Sequence, residues 1–318
     1  MSLVGSYPRI EPHRIGIITP TKGRHRQLGT LLETLSRQTV RIGQIIIADG
    51  GRDAQGIVTP FLDELPVTWL DCPVPGQIVQ RNLALTQLAP EIDVVIYLDD
   101  DIQLEPDAIE KLVTCWNSRE VEPAGMTLNI TNMAKQRDNA FRHLFFMQSE
   151  PRGRVLSSGY NTPMIGLTEN IRSHWLIGGA TAWRRDILLH SVNRPIPSRW
   201  AITEDLMYSY ALHKSGAALY GCADARVKHV DDTIPETFQS GYFRGNNATL
   251  WRYMFVSENL ELSKGKFFWM MTGQTLVRLC LGLAGKPWHL GYFFGHIKGM
   301  ALSLISLTLR IDIRRFLQ

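Results

Sequence analysis

The chain has 318 residues, 44% of them apolar and 20% charged, enough to bury one large α/β core or a core domain with an appendage. A net charge of +4 is too small to argue for a nucleic-acid partner, and four scattered cysteines without a CxxC pair argue against a zinc site or a disulfide framework. From Glu261 onward there are eight Lys/Arg against two Asp/Glu, so the basic excess belongs to the last segment and the rest is near neutral.

Residues 1–14 carry no apolar core of signal-peptide length, so export is not expected, and the isolated cysteines suit a reducing compartment. Residues 14–20, with Ile15, Ile17 and Ile18, read as the first strand, giving way to the polar loop Thr19-Pro20-Thr21-Lys22-Gly23-Arg24. Leu28, Leu31, Leu32 and Leu35 then recur at helical spacing through Gln38. Residues 44–48, built on Ile45-Ile46-Ile47, are a second buried strand that stops at Asp49-Gly50-Gly51. Residues 67–70 are a short third strand, and 76–88 a helix carrying Arg81 and Asn82. Residues 94–98 form the next strand, run into Asp99-Asp100-Asp101, and are followed by a helix over 106–117. Strands alternating with helices of this length imply a mainly parallel sheet with helices on both faces, and such sheets bind ligands at the carboxyl ends of their strands. Thr19, Asp49 and the acidic cluster all fall at such ends.

Three adjacent carboxylates repel one another, so holding them in a cleft is costly without a cation. Mg²⁺ or Mn²⁺ takes hard carboxylate oxygens, usually one or two of them alongside substrate phosphates. In an extended segment Asp99 and Asp101 would face one site while Asp100 turned aside; a solvated acidic turn is the plainer reading of the tripeptide alone. No GxGxxG follows the first strand and no GxxxxGK[ST] loop is present, so a bound diphosphate would be neutralised by a metal and basic side chains.

Residues 125–129 read as a strand leading into an unpatterned stretch that ends near 169. Residues 175–183 (WLIGGATAW) read as a strand interrupted by Gly178-Gly179, which marks a bulge, a close ligand approach or a packing kink. Thr203-Glu204-Asp205 opens a helix with Leu206, Tyr210 and Leu212 inward; Thr203 as N-cap with acids in the first turn explains the triplet structurally. Residues 226–229 are a short strand or loop ending in His229, and 236–259 a long helix. Beyond Lys264 aromatic and apolar residues mix with Arg278, Lys286, Lys298 and Arg310. No run reaches the roughly 18–20 uncharged residues of a membrane span, the nearest being 267–285. This composition suits an in-plane segment drawn to anionic lipid, or helices that pack on the main domain or form a dimer interface.

Together these pieces resemble the family 2 glycosyltransferases of the GT-A fold. The carrying motifs are ITPTKGR, IIIADGGRD, GQIVQRN, YLDDDIQLEPD, WLIGGATAWRRD, TEDLMYSYALHKSG, KHVDD and GYFRGNN, in family order over about residues 15–247. The resemblance implies a GT-A nucleotide-diphospho-sugar transferase domain over 1–235, with a donor half at about 14–120 and an acceptor half at 121–235, followed by a helical region over 236–318. It implies an inverting, Mg²⁺- or Mn²⁺-dependent transfer from a nucleotide-diphosphate sugar to a hydroxyl of a glycan or lipid-linked acceptor. It assigns Asp205, with Glu204 beside it, to catalysis; Thr19, Asp49, Arg81, Asp99, Asp100, Gly179 and Arg244 to the donor; and Asp101, Asp99 and His229 to the metal. Ala48, where relatives often carry an acid, and Lys22-Gly23, where an asparagine is common, bear on which nucleotide is held. The expected location is cytoplasmic, peripheral at the inner membrane face. The alternatives are a nucleotidyltransferase of related fold, for which the Thr21-Lys22-Gly23-Arg24 loop is a poor triphosphate clamp, and a non-catalytic sugar-nucleotide-binding membrane scaffold.

Overall fold

A computed structural model describes residues 7–134, 137–193, 195, 202–230 and 236–317. Its strands are β1 (Ile15–Thr21), β2 (Gln44–Asp49), β3 (Val67–Asp71), β4 (Val94–Leu98), β5 (Ile102–Leu104), β6 (Gly125–Ile130), β7 (Ile171–Ser173), β8 (Ala180–Arg184) and β9 (Leu219–His229). The helices are α1 (His25–Ser36), α2 (Gln55–Val58), α3 (Gln77–Leu85), α4 (Ala108–Asn117), α5 (Ala140–Leu144), α6 (Arg185–His190), α7 (Glu204–Lys214), α8 (Phe238–Glu258), α9 (Lys264–Leu283) and α10 (Pro287–Leu309).

The strands form one sheet in the order β3-β2-β1-β4-β8-β6-β9-β5, with β7 also paired to β9. The first four neighbours are parallel, as the strand–helix alternation implies. Beyond β4 the sheet turns mixed: β8 runs antiparallel to both β4 and β6, while β6 and β9 are parallel. Strands β1, β2 and β4 are apolar on both sides because both faces are covered. Ile15, Ile17, Ile45, Ile47, Val94 and Ile96 share one core with Leu28, Leu31, Leu32 and Leu35 of α1. Ile18, Ile46 and Val95 point the other way and are equally buried, on the face where α3 packs.

Several boundaries move. β1 runs to Thr21 rather than Pro20, in register with Asp49. β8 begins only at Ala180, so residues 175–179 are an irregular approach and not an interrupted strand. β9 covers eleven residues where a short strand was expected, because Gly221-Cys222-Ala223 is a poor strand signal that tertiary pairing overrides.

Pairing of β6 with β9 slips between Thr127 and Asn129, leaving extra residues of β9 without ladder partners. The buried Asn129 side chain meets them: Nδ2 donates to the carbonyls of Ala223 (2.7 Å) and Leu167 (2.9 Å), and Oδ1 accepts the Leu167 amide (2.8 Å).

The chain divides into two compact units, one of Met1–Lys135, Met164–Pro195 and Tyr208–Asp231 and one of Gln136–Pro163, Ile196–Met207 and Asp232–Gln318. The sequence expects a division at 235, and that point, like Asp231-Asp232 of the KHVDD motif, lies outside the described residues. Side chains of the second unit hold its unpatterned stretch in place. Arg252 Nη1 donates to Gly159 O (2.7 Å) and Asn161 Oδ1 (2.8 Å), Lys266 reaches Ser157, and Trp269 reaches the Leu144 carbonyl. A capping box formed by Thr237 and Ser240 starts α8, and Ser263 caps α9. Between α8 and α10 the backbones touch: a Cβ at Gly241 would collide with the Trp288 carbonyl, and one at Gly291 with that of Phe238.

One described helix, α10, is long and apolar enough to cross a membrane by length and composition, with a mean hydropathy of 1.2. This corrects the expectation that 267–285 comes nearest: Lys298 alone breaks the uncharged run in α10, and an average over the helix absorbs it.

Replacing Asn129 by Leu strands three buried backbone groups, each worth about 1–3 kcal/mol when left unpaired. We expect N129L to lower the free energy of unfolding by about 3 kcal/mol in urea titrations. A loss under about 0.5 kcal/mol, the scale of an ordinary surface substitution, would mean the slipped pairing does not depend on this side chain.

Candidate active site

β4 ends at Leu98, and Asp99-Asp100-Asp101 forms a tight turn closed by the Ile102 amide on the Asp99 carbonyl (3.1 Å). Strand alternation therefore does not apply to the three acids: Asp99 turns to Arg81, whereas Asp100 and Asp101 share Arg24. The Asp99 amide donates to the Gly179 carbonyl (2.9 Å), and Oδ1 accepts from Arg81 Nη2 (2.8 Å) and Gln77 Nε2 (2.7 Å). Arg81 is itself fixed over the Tyr97 ring, 4.9 Å from its centroid, and donates to the Gly178 carbonyl (3.1 Å). A Cβ at Gly179 would stand 2.5 Å from Asp99 Oδ2, so the glycine is required for that carboxylate to sit where it does.

Asp100 does not turn aside to solvent. It is buried, accepting from the Thr21 hydroxyl (2.8 Å) and from Arg24 Nη1 (2.8 Å). Burial pushes its carboxyl up to about 6; Thr21 and Arg24 oppose that rise, and the charges of Asp101 and Asp99 add to it. Arg24 Nη2 bonds Asp101 Oδ2 (2.9 Å), so a single guanidinium spans both acids. The other oxygen, Asp101 Oδ1, is buried, has no hydrogen-bond partner among the described residues, and lies 3.4 Å from His229 Nε2. His229 is anchored by its backbone, exchanging hydrogen bonds with the Asn132 side chain at 2.9 and 2.7 Å.

Two further side chains fix the loops at the strand ends. The buried Asp49 carboxylate accepts the amides of Gly51, Asp53 and Ala54 (each 2.8 Å) and the Trp69 indole (3.1 Å). Burial alone would raise its carboxyl, but the Ala54 amide, Trp69 and the Gly51 and Asp53 amides prevail and hold it below the ordinary carboxylate range. Gln80 joins β1 to β2, its Nε2 donating to the carbonyls of Thr21 (2.9 Å) and Ala48 (2.6 Å) while Oε1 accepts the Gly76 amide (3.0 Å). Between these groups lies a cavity of about 310 Å³, walled by Thr21, Lys22, Arg24, Gln77, Gln80 and Asp99 among others. Asp100 borders it and also a smaller hollow of about 60 Å³ that Asp101 shares with Arg26 and Val230. Among the described residues no three His, Cys, Asp or Glu side chains converge as a complete metal cage.

A model of glycosyl transferase family 2 matches residues 16–188, more than half of the chain, and spans this turn and its partners other than His229. The chain belongs to that family. It is a glycosyltransferase of GT-A fold, and the readings as a nucleotidyltransferase or a non-catalytic scaffold fall away. Among solved structures it is similar to the mannosyltransferase PcManGT of Pyrobaculum calidifontis, whose structure holds GDP-Man and Mn²⁺. That likeness has 13% identity over 92% of this chain and 87% of the other, with a TM-score of 0.56. S. aureus TarS 1–349 is similar at 14% identity over 95% and 89%, with a TM-score of 0.53. At such identities the likeness shows the fold. No curated protein sequence matches the chain significantly.

Within the glycosyltransferase unit that carries the turn, Arg81, Asp99, Asp100 and Gly179 come together, and Asp101 meets His229. Thr19 lies inside β1, fully buried with its hydroxyl unpartnered among the described residues, so the threonine at the strand end is Thr21. The Asp49 carboxylate, expected to meet a base, is surrounded by three amide donors of its own loop and the Trp69 indole of β3. Glu204, Asp205 and Arg244 belong to the second unit. Asp205 Oδ1 accepts the amide of Leu206 (2.8 Å), whereas the Thr203 hydroxyl makes no capping bond among the described residues. Burial pushes Arg252 down to about 10, and the charges of Tyr160 and Asp205 oppose that shift. Arg244 on α8 lies within charge range of Tyr292.

Arg24, Thr21, Gln77 and Gln80 escaped the sequence reading. The signal for Arg24 was Gly23, whose φ of +63° turns the chain back over the acids; that role was visible only as a polar loop.

Asp49→Asn would leave three amides and an indole competing for one neutral carbonyl oxygen, at a cost of about 2 kcal/mol. The folded carboxyl titrates below its unfolded value, so its stabilisation is full above the unfolded pKa of about 3.9 and is lost as pH falls through the folded one. The gap between wild type and D49N in chemical unfolding should be complete at pH 7 and narrow below about pH 4. A gap that does not depend on pH would detach it from this titration.

Proposed function

We propose that the chain transfers a sugar, with inversion, from a nucleoside-diphosphate sugar to a hydroxyl of a glycan or lipid-linked acceptor, with Mg²⁺ or Mn²⁺ as cofactor. One observation carries the metal part of this reading: Asp101 Oδ1 is buried beside His229 with no hydrogen bond among the described residues. A buried carboxylate oxygen in that state fits a cation, and an oxygen and an imidazole nitrogen are donors that Mn²⁺ accepts. Asp101 and His229 would hold the ion, the remaining positions falling to diphosphate oxygens and water, which is usual for Mg²⁺. When bound, the ion would supply Lewis-acid stabilisation of the departing diphosphate. The Mn²⁺ and GDP-Man in PcManGT, a protein of similar fold, support the same reading.

The chain's own residues do the rest. Arg81, fixed by Tyr97 and Gly178, places a guanidinium against Asp99, which itself lines the cavity, and would serve phosphate or sugar oxygens from there. Lys22 and Arg24 put positive charge on the cavity wall itself. Thr21, Gln77 and Gln80 hold the strand ends still, so that donor atoms would meet fixed partners rather than reorganising ones. Asp205, in the first turn of α7, would take the proton of the attacking hydroxyl at its carboxylate. Gly179, where Asp99 already approaches the backbone, leaves no side chain in the way of a sugar. The four described cysteines are all free thiols, which supports a reducing, cytoplasmic setting.

The test is a panel of UDP-, GDP- and dTDP-sugars with Mn²⁺ or Mg²⁺, read by thermal stabilisation and by turnover. One nucleoside diphosphate with metal should stabilise wild type by about 2.7 kcal/mol at a hundredfold excess over its Kd, and Asp101→Ala should abolish the metal-dependent part. Asp101→Ala responding to metal like wild type would remove that residue from the site. Asp205→Asn should keep the stabilisation while kcat falls by roughly 10²-fold or more. Unchanged turnover would leave Asp205 a helix-capping acid.

A further inference from the structure

We infer that the outward faces of α9 and α10 dock in the plane of an anionic lipid surface, an inference from the second unit alone that does not depend on the reaction proposed above.

The distribution of side chains on α10 is inverted relative to a soluble amphipathic helix. Its buried residues are Gly291, Gly295, His296, Gly299, Ser303 and Ser306, all small except the histidine. The large apolar residues face out: Phe294 is 46% exposed, Ile297 43%, Leu304 50% and Ile305 41%. At about 100° per residue these four, with Ala301 and Thr308, fall on one continuous stripe opposite the glycines. The preceding helix, though it buries Phe267, Met270 and Met271, also leaves large apolar residues outside. Trp269, Leu276 and Leu283 of α9 recur at helical spacing and are 45%, 43% and 76% exposed. In water a helix buries such a stripe and exposes its polar side. Small residues at the helix contact with large apolar residues outside is the arrangement of helices whose outer solvent is hydrocarbon.

Charge decides which occupant covers the stripes. Between Glu261 and Asp312 there is no carboxylate, while Lys264, Lys266, Arg278, Lys286, Lys298 and Arg310 are all cationic. Arg278 is engaged within the helix pair, over the Tyr292 ring at 4.3 Å and beside His289 Nδ1 at 2.8 Å. The others stand at the helix ends, except Lys298, which lies at the edge of the α10 stripe with its ammonium 5.5 Å from the Tyr242 ring centroid. An ordinary protein surface mixes both signs. A second copy of this chain would bring like charges together across a two-fold contact. An anionic bilayer surface complements the pattern, with apolar side chains entering the acyl boundary and lysines reaching the headgroups. Lys298, midway along α10, sets the helix in the plane and not across it.

The experiment is co-sedimentation of the full chain with vesicles of phosphatidylcholine alone and of phosphatidylcholine with phosphatidylglycerol, alongside size-exclusion chromatography. Wild type should bind the anionic vesicles at least about tenfold more strongly than the neutral ones, and salt should weaken that binding. The double variant Ile297→Glu with Leu304→Glu alters exposed positions only and should lose at least about tenfold in vesicle binding, with stabilisation by nucleotide unchanged. A second variant, Lys264→Gln with Lys266→Gln and Lys286→Gln, leaves the apolar stripes intact and should lose only the preference for anionic vesicles. Wild type that ignores both vesicles would overturn the inference, as would a dimer that the Glu variant dissolves. Failure of nucleotide binding with vesicle binding intact would count against the reaction and not against this surface.

Discussion

Everything at the carboxyl end of the sheet depends on keeping three carboxylates within one turn. Unit charges about 4 Å apart repel by roughly 4 kcal/mol at an effective dielectric constant near 20. Three uncompensated carboxylates would therefore consume a large part of the roughly 5–15 kcal/mol that keeps a domain folded. The compensating groups come from separated parts of the chain: Arg24 from the loop after β1, Arg81 from α3, and His229 from the end of β9. The turn is stable only where β1, α3 and β9 have already met, so the local acidic motif and the global topology require each other.

That dependence explains why so many polar side chains near the turn serve the backbone. Asp49 closes its own loop with three hydrogen bonds and takes a fourth from Trp69, and Gln80 ties two strand ends together with two and holds Gly76 with a third. Each group is satisfied without a ligand, which keeps the cavity walls from reorganising when one arrives. Asp101 Oδ1, 3.4 Å from His229 Nε2, has no hydrogen bond among the described residues, and a buried acceptor without one is disfavoured by about 1–3 kcal/mol.

The parallel half of the fold was legible because its information is local. Ile45-Ile46-Ile47 and Val94-Val95-Ile96 can be little other than doubly buried strands, and the four leucines of α1 announce their face. What escaped depended on distant partners. Whether Asp100 points away or inward is set by a turn and by Arg24, 76 residues earlier, not by strand period. Thr19 and Thr21 look alike in sequence, and only the two extra residues of pairing with β2 put Thr21 at the strand end. The stretch around Ser157 and Gly159 has no periodicity because its order is imposed by Lys266 and Arg252 from helices a hundred residues on. The mixed half of the sheet was hidden for the same reason, as Gly221 pairs with Thr127 and Ile171 and Ala223 is held by Asn129, neither by its own propensity.

The C-terminal helices invert the logic of the rest of the molecule, and a single constraint produces both of their unusual features. Backbone contact between α8 and α10 requires glycine at Gly241, Gly245, Gly291 and Gly295, since a Cβ at any of them would strike a backbone atom of the other helix. A helix that gives its inner face to glycine and serine contributes little apolar area to that contact, so hydrophobic burial cannot be what holds it. Close van der Waals packing must do so instead, a mode that also works where the surroundings are themselves apolar. The large side chains displaced from the seam then have only the outer face to occupy. Hence the exposed stripe of α10 is no isolated surface defect: it is the other side of a helix contact built for tight packing rather than for the exclusion of water.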